Sequence, residues 1–191
     1  MKKLLIILFL LFSSNIFADN ITESRQFINS IGNAIVTFDD KKKLIDLMEE
    51  SIDFQWISRY VLGKQYHNFT KQQKSDFTKL YKVFLINTYG PKFDNYSAKS
   101  FKIDAIEEKK KYNFVKSTLE ISDGTRVSFA FRIKRDKIDN KFKIIDVIVE
   151  KVSLIITQKS EFSSAIAQSG ISNFLKKMQE KVKNQRIKNN D

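Results

Sequence analysis

Residues 121–135, with the sequence ISDGTRVSFAFRIKR, determine the fold class of this chain. Every second position in the later part of this stretch is apolar, namely Val127, Phe129, Phe131 and Ile133. Only Ala130 interrupts the alternation, and a period of two is typical of a strand that buries one face. The segment Ser122-Asp123-Gly124-Thr125 just upstream predicts a hairpin turn of the Asp-Gly type. We therefore predict that this strand belongs to an antiparallel sheet.

The segments on either side of this strand predict the rest of the sheet. Upstream, apolar and polar residues alternate in 101–105, and 115–121 supplies the next strand. Downstream, a turn at 136–140 leads into 142–149, where the apolar residues occupy both faces. The sequence therefore predicts about four strands, the last of them apolar on both faces.

Helical periodicity precedes the sheet. Apolar residues recur at helical spacing in 21–38 and again in 44–48, and 53–62 predicts a shorter helix that ends at the following glycine. Thr70 and Gln73 have the spacing of a capping box, which predicts the start of a further helix. This helix carries a wide apolar surface, formed by Phe77, Leu80, Tyr81, Val83, Phe84, Leu85 and Ile86. The first half of the chain is therefore predicted to be helical.

A second helical region follows the sheet. Pro91, the only proline, predicts the end of the first helical half, because the residue before a proline disfavours helical geometry. The helical period resumes at Leu154, is interrupted at Gly170 and continues as an amphipathic helix. The predicted fold class is therefore α+β, with an antiparallel sheet of about four strands packed against N- and C-terminal helices.

The first residues have the features of a secretory signal peptide. Two lysines precede an unbroken apolar run, Leu4–Phe12, which is shorter than the roughly 20 residues of a membrane-spanning helix. We expect cleavage after Ala18. The predicted organisation is a cleaved signal peptide at 1–18, a single domain at 19–183 and a frayed basic tail at 184–191. The chain has no cysteine, which excludes a lipoprotein anchor and disulfide bonds.

The charge balance is strongly basic. Loss of Lys2 and Lys3 with the signal peptide would lower the formal net charge from +12 to +10. Such a balance favours anionic partners. A general preference for scattered lysine explains the charge equally well, and export to a compartment without nucleic acid argues against a nucleic-acid partner.

Few residues suit catalysis or metal binding. The single histidine, His67, lies in the polar stretch 65–68, which favours a solvated loop side chain over a catalytic base or a zinc ligand. The neighbouring acids Glu49-Glu50 and Glu107-Glu108 are typical of exposed turns and helix ends. With only five glycines, the chain has no glycine-rich phosphate loop. We predict no catalytic residue, no metal, no cofactor and no enzymatic activity.

Aromatic residues are abundant, with 17 phenylalanines. Ordinary core packing explains any one of them, but the strand 144–149 and the helix 71–88 each offer two apolar faces. This surplus predicts an apolar pocket between the sheet and the helices. The candidate wall residues are Trp56, Tyr60, Phe84, Val127, Phe129, Phe131, Ile144 and Ile148. The opposite strand face stays an alternative, because a one-residue shift in register reverses the faces.

An ordered set of short motifs spans most of residues 21–183. The motifs are Asp53-Phe54, Val61-Leu62-Gly63-Lys64, Phe77, Phe84-Leu85, Thr88-Tyr89-Gly90, Asp146-Val147, Val152-Ser153-Leu154, Thr157-Gln158-Lys159-Ser160-Glu161-Phe162 and Gly170-Ile171. Preceded by a signal peptide, this set resembles the MlaC, or toluene-tolerance, family of periplasmic phospholipid-binding proteins. Lys151 departs from the family pattern, which has a glycine at this position, and so leaves the local backbone open.

The resemblance implies a periplasmic phospholipid carrier whose lipid is cargo and not a cofactor. It also implies two partners in an Mla-type system that maintains outer-membrane lipid asymmetry: a lipoprotein complex at the outer membrane, and an inner-membrane ABC transporter with a substrate-binding ring. Contact with anionic lipid or with acidic partners is an expectation for four basic residues of the last helix. They are Lys176, Lys177, Lys181 and Arg186. A solvated polar helix face is the alternative for these four.

Two other functions stay open. One is an exported small-hydrophobic-ligand module or enzyme on a cone-shaped α+β scaffold, because one fold hosts unrelated functions. That reading requires a buried polar cluster, which the sequence pattern does not display. The other is an adhesion or structural protein of the envelope, for which repeats or an anchor are expected and not found.

Overall fold

The computed structural model describes the backbone of residues 2–37, 40–94 and 98–190, and the side chains of 20–37, 40, 42–91 and 98–185. The helices are α1 (Lys2–Thr37), α2 (Lys41–Ser51), α3 (Phe54–Leu62), α4 (Lys71–Asp94) and α5 (Leu154–Asn190), and a 3-10 turn spans Gly63–Asn68. The strands are β1 (Ala98–Lys109), β2 (Tyr112–Ile121), β3 (Arg126–Arg135), β4 (Phe142–Val149) and β5 (Val152–Ser153).

The five strands form one antiparallel sheet in the order β1-β2-β3-β4-β5. Four of them are long and the fifth has two residues, so the predicted α+β class is confirmed. The Asp-Gly turn between β2 and β3 is confirmed as well. Gly124 has a φ of +85°, and its N–H donates to the carbonyl of Ile121 over 3.0 Å. A positive φ at this position is the reason that the turn favours glycine.

Strand β4 is buried on both faces, and its pairing with β3 contains a bulge. Arg132 is opposite Asp146 and Ile133 is opposite Ile144, so Ile145 has no partner on β3. Ile144 joins a core cluster with α1 and the sheet, whereas Ile145 joins a second cluster with α3, α4 and α5. The prediction that this strand is apolar on both faces is therefore confirmed.

Helix α1 lies across the sheet and is fixed there by polar contacts as well as by apolar ones. The buried amide of Asn113 on β2 donates to Ser24 Oγ over 2.7 Å. At the same end, Arg135 of β3 pairs with Glu23 over 2.8 Å. Because buried polar groups tolerate few alternative partners, these contacts fix where α1 crosses the sheet.

Several helix ends are as predicted. Thr70 and Gln73 form the capping box: the Gln73 N–H donates to Thr70 Oγ1 over 3.1 Å, and the Thr70 N–H donates to Gln73 Oε1 over 2.9 Å. Asp53 caps α3 by accepting the N–H of Trp56 over 2.8 Å. Gly170, with a φ of +73° and a ψ of 166°, divides α5 into two helical parts.

The prediction for Pro91 is wrong. Helix α4 continues through it to Asp94. The steric conflict at a proline is chiefly with the Cβ and N–H of the preceding residue. That residue is Gly90, which has no Cβ and so keeps its helical conformation beside the proline ring.

One glycine in α1 permits the close approach of helix and sheet. A Cβ on Gly32 would lie 1.9 Å from Cδ1 of Phe101 on β1. No side chain other than hydrogen fits between the helix and this ring. Gly32 therefore fixes the distance between α1 and the strand on which it packs.

We expect Gly32→Ala to lower the free energy of unfolding by about 1–3 kcal/mol, because the methyl group overlaps the Phe101 ring. Urea unfolding followed by circular dichroism measures this change. Asn33→Ala, at the adjacent exposed position, is the control and is expected to change little. Phe101→Leu combined with Gly32→Ala should cost less than the sum of the single changes. Additive losses would contradict the assigned overlap.

The turn between β4 and β5 carries backbone strain. Val149 pairs with Val152, so Glu150 and Lys151 are the two central residues of the turn. Their φ angles are +47° and +69°, both in the left-handed region. Left-handed geometry costs a residue with a side chain roughly 1–2 kcal/mol. A glycine at position 151 would not incur this cost.

Lys151→Gly is therefore expected to raise the free energy of unfolding by about 1 kcal/mol, because it relieves the strain at this φ. The matched control is Lys137→Gly in the β3–β4 turn, where φ is not positive and glycine should lower stability. Thermal and urea unfolding compare the two variants. Equal losses of stability in both would show that Lys151 is not strained.

Candidate functional site

Two apolar cavities lie beside the two faces of β4. The first, the α1 cavity, has a volume of about 80 Å³ and lies between α1, α2 and the sheet. Its walls are Ile31, Ile35, Leu44, Leu47, Met48, Ser51, Ile52, Phe101, Leu119, Phe129, Phe131, Ile144 and Val147. Apart from the Ser51 hydroxyl, every lining side chain is apolar. Such a lining suits hydrocarbon and offers almost no hydrogen bond to a polar ligand.

The second, the α5 cavity, has a volume of about 130 Å³ and lies between α2, α4, β4 and α5. Its walls are Met48, Ile52, Ile57, Tyr81, Leu85, Tyr89, Phe129, Ile144, Ile145, Asp146, Val147, Val149, Leu154, Ile155 and Gln158. Met48, Ile52, Phe129, Ile144 and Val147 also line the α1 cavity. The two cavities therefore adjoin, and the end of α2 lies at their common boundary.

Asp146 is the most buried charged group at the α5 cavity. Its carboxylate accepts hydrogen bonds from Arg132 on β3, from the Ser153 hydroxyl over 2.7 Å, and from the Ile155 N–H over 3.3 Å. Burial raises the pKa of Asp146, although these three partners favour its charged form. All three donors are groups of the protein, and the Asp146 carboxylate therefore links β3, β4 and the start of α5.

Two tyrosines and a glutamine form the other polar group in this wall. The Tyr81 hydroxyl donates to Gln158 Oε1, and both side chains are buried. Burial raises the pKa of Tyr81 far above its usual range. It also raises the pKa of Tyr89, with a smaller contribution from the charge of Glu161 and an opposing one from a hydrogen bond with Gln158. These hydroxyls stay neutral at physiological pH.

Sequence reasoning missed this polar cluster. The available signal was Asp146 itself, a charge inside an otherwise apolar strand, which requires a buried partner. The partners of Asp146 lie on β3, on β5 and at the start of α5, and therefore the period of a single strand or helix does not indicate them.

The structure places three of the eight predicted wall residues in the cavities. Phe129 and Ile144 line both cavities, and Phe131 lines the α1 cavity. Phe129 and Phe131 stack, with ring centroids 6.4 Å apart. Strand β3 therefore presents both rings to the side on which α1 and α2 lie.

The other five predicted wall residues are not among the lining residues of these cavities. Trp56 and Tyr60 stack on each other 5.1 Å apart, with Lys134 over Trp56 and Lys159 over Tyr60. Phe84 packs in an aromatic cluster with Tyr81 and Phe162. Ile148 is buried and Val127 is half-buried. Trp56, Tyr60 and Phe84 belong to, or pack against, the core cluster formed with α3, α4 and α5.

Helix α2 supplies wall residues that the sequence analysis did not select. Leu44, Leu47 and Met48 line the α1 cavity together with Ile52, just after the helix. Their helical spacing was visible in the sequence. The missing information was the placement of α2, which lies against α1, α4 and β4.

The basic residues of α5 have different surroundings. Lys176 and Lys177 are exposed. Lys181 is also exposed, and its Nζ lies 4.7 Å from the centroid of the Phe84 ring. The side chain of Arg186 lies outside the described residues.

Metal sites and membrane-spanning helices are absent from the described part of the chain. It holds no group of three or more His, Asp or Glu side chains arranged to bind a metal ion. None of its helices combines the length and the apolar character that crossing a membrane requires. His67 is exposed and meets the Tyr66 ring edge-on at 6.2 Å.

Comparisons with known proteins agree with this architecture. A phospholipid-binding protein from Ralstonia solanacearum, solved in complex with a phospholipid, superposes with a TM-score of 0.73 at 17% sequence identity, covering 86% of this chain and 97% of that one. At this identity the likeness shows the fold alone. No curated protein matches the chain. The family model described as MlaC protein matches residues 37–180, which is most of the sequence. The chain therefore belongs to the MlaC family.

Proposed function

We propose that this protein is a phospholipid carrier that holds acyl chains in the α1 and α5 cavities. The observation that carries the proposal is the pair of adjoining apolar cavities that share Met48, Ile52, Phe129, Ile144 and Val147. Two neighbouring apolar compartments suit a ligand with two hydrocarbon chains. The phospholipid held by the Ralstonia solanacearum protein of the same fold supports this class of ligand.

The energetics of lipid transfer explain why a carrier needs such an interior. Exposing hydrocarbon to water costs about 0.8 kcal/mol per CH₂, so two chains of about 16 carbons cost on the order of 25 kcal/mol. Unassisted transfer through water is therefore negligible. The site of a carrier has to bind the acyl chains almost as favourably as the bilayer does. It must not bind them more favourably, because a tighter site would not release the lipid.

The cavities must widen to take acyl chains, and α2 is the element that we propose to move. With volumes of about 80 and 130 Å³, they are smaller than the roughly 300 Å³ at the lower end for ligand pockets. Outward movement of Met48 would join the two spaces, since it lines both cavities, while Ile52 stays bridged to Ile144 and serves as the hinge. The wall on the sheet would then consist of Phe129, Phe131, Ile144 and Val147.

We propose that the remaining predicted residues act indirectly. Trp56, Tyr60, Phe84 and Ile148 hold α3, α4 and β4 in place around the cavities, and Val127 lies further along β3. The lysines 176, 177 and 181 would meet anionic head groups or acidic partners, because they are exposed on one part of α5.

We further propose that the chain is exported, cleaved after Ala18 and active in the periplasm. There it would carry lipid between the outer-membrane lipoprotein complex and the inner-membrane ABC transporter of an Mla-type system, and so maintain lipid asymmetry. The carrier needs no cofactor and no catalysis. The buried cluster around Asp146 fits this view, because its hydrogen bonds are satisfied within the protein.

We expect native mass spectrometry of residues 19–191, purified from periplasm without detergent, to detect a phospholipid at a defined ratio to protein. The apolar linings of both cavities are the physical reason. Lipid extraction and chromatography would identify the species. A folded protein that carries no lipid, and takes up none from phospholipid vesicles, would refute the carrier function and favour a smaller hydrophobic ligand.

A second test distinguishes the cavity wall from the rest of the sheet. Val147→Trp is expected to abolish most lipid binding, because the ring fills the space common to both cavities. The matched control is Val127→Trp, a half-buried valine on the adjacent strand that lines neither cavity. Met48→Trp should act like Val147→Trp from the opposite wall. Overpacking should cost no more than about 1–3 kcal/mol of stability.

Bound lipid per protein, measured by native mass spectrometry, provides the comparison. Circular dichroism establishes that each variant is folded. Equal lipid content in the Val147 and Val127 variants would place the acyl chains elsewhere.

A further inference from the structure

The end of the sheet that carries the β4–β5 turn exposes two large apolar side chains close together in sequence. Val152 of β5 is 55% exposed and Ile156, in the first turn of α5, is 50% exposed. Ile138 is 96% exposed but lies in the β3–β4 turn, at the opposite end of the meander. Residues 151, 152 and 156 therefore form an exposed surface, which we call the β5 tip.

The backbone at the β5 tip is strained at two neighbouring residues, Glu150 and Lys151. The side chain of Glu150 has a role in the fold, whereas that of Lys151 has none. Glu150, with a φ of +47°, is held by Ser128: its N–H donates to the Ser128 carbonyl over 3.0 Å, and its carboxylate accepts the Ser128 N–H over 2.6 Å. Lys151, with a φ of +69°, is exposed and makes no hydrogen bond or ion pair with the described residues. Strain of this kind concentrates where function requires it.

The β5 tip continues directly into a wall of the α5 cavity. Val149 precedes the turn, Leu154 and Ile155 follow β5, and all three line that cavity. A surface that docked on the β5 tip would therefore lie beside the compartment proposed to hold an acyl chain.

We propose that the β5 tip is a docking site for a phospholipid bilayer with anionic head groups. Val152 and Ile156 enter the interface between head groups and acyl chains, and Lys151 meets the lipid phosphates. Once Lys2 and Lys3 are lost with the signal peptide, the formal net charge of +10 favours an anionic membrane at longer range. Two apolar side chains and one cation are far fewer than the residues of a stable protein interface, whereas they suit brief contact with a membrane.

This inference deepens the proposed carrier function and names the surface on which the carrier exchanges lipid. It also explains why a lysine stands where glycine would stabilise the turn. The positive φ projects a charged side chain at the outermost point of the hairpin, beside the two apolar ones.

Vesicle co-sedimentation of the mature chain tests the docking surface. The vesicles consist either of phosphatidylcholine or of equal parts phosphatidylcholine and phosphatidylglycerol. Val152→Ser combined with Ile156→Ser should weaken binding to the mixed vesicles about tenfold, since two partly buried aliphatic side chains are lost. Lys151→Gly should weaken it about fivefold at low salt and less at high salt, and should leave binding to phosphatidylcholine vesicles unchanged.

The controls are Ile138→Ser and Lys137→Gly in the opposite turn, both expected to bind like the wild type. Lys151→Gly is also expected to be more stable than the wild type, so weaker binding by this variant cannot result from unfolding. The proposal is overturned if the double serine variant binds mixed vesicles as the wild type does. It is equally overturned if Ile138→Ser loses as much binding as the double variant.

Bound lipid is measured by native mass spectrometry in the same samples. Weakened vesicle binding with unchanged lipid content supports the docking site. Absence of bound lipid from the wild-type protein would instead refute the carrier function, whatever the vesicle result. A failure of the docking site and a failure of the carrier function are therefore distinguishable.

Discussion

Burial of β4 on both of its faces is the constraint on which the rest of the structure depends. Ile144 packs in the core beneath α1 and Ile145 in the core beneath α3, α4 and α5, because successive residues of a strand point to opposite faces. A sheet with helices on one side only would need one apolar face. Because β4 has two, helices must cover both sides of this strand, and the adjoining cavities arise where the two coverings meet along it.

The buried carboxylate of Asp146 fixes this arrangement. A charge in this position is costly, as its raised pKa indicates, and it is retained because Arg132, Ser153 and the N–H of Ile155 all donate to it. A shift of β4 by one residue would leave this charge without partners. The penalty for an unpaired buried charge is several kcal/mol, so the group specifies the register of the sheet and the starting point of α5.

The sequence patterns predicted the features that a few neighbouring residues determine, and they did not predict the features that depend on tertiary contacts. The turn at Gly124, the capping box at Thr70 and the break at Gly170 depend on a few consecutive residues and were all predicted. Pro91 was misread, because the missing Cβ of Gly90 relaxes a rule that holds for other residues. The bulge at Ile145 and the partners of Asp146 depend on contacts between distant segments, which periodicity does not encode. The prediction of the cavity wall was limited for the same reason. The alternation on β3 identified Phe129 and Phe131, but only the tertiary fold places α2 over them.

The attachment of α2 explains how a lipid site with an apolar interior can be opened at low cost. Its apolar side chains face the cavities. Ile52, the residue after the helix, forms a β-bridge with Ile144 and stays attached to the sheet. The helix itself is held by exposed polar contacts: Glu49 pairs with Lys82 over 2.7 Å, and the carbonyl of Glu50 accepts from Lys143 over 2.6 Å. Water replaces such contacts with little loss of free energy. The apolar contacts given up on opening are those that an incoming acyl chain supplies. For the proposed carrier, opening and loading are therefore nearly balanced in free energy, and that balance is what allows the same site both to accept and to release a lipid.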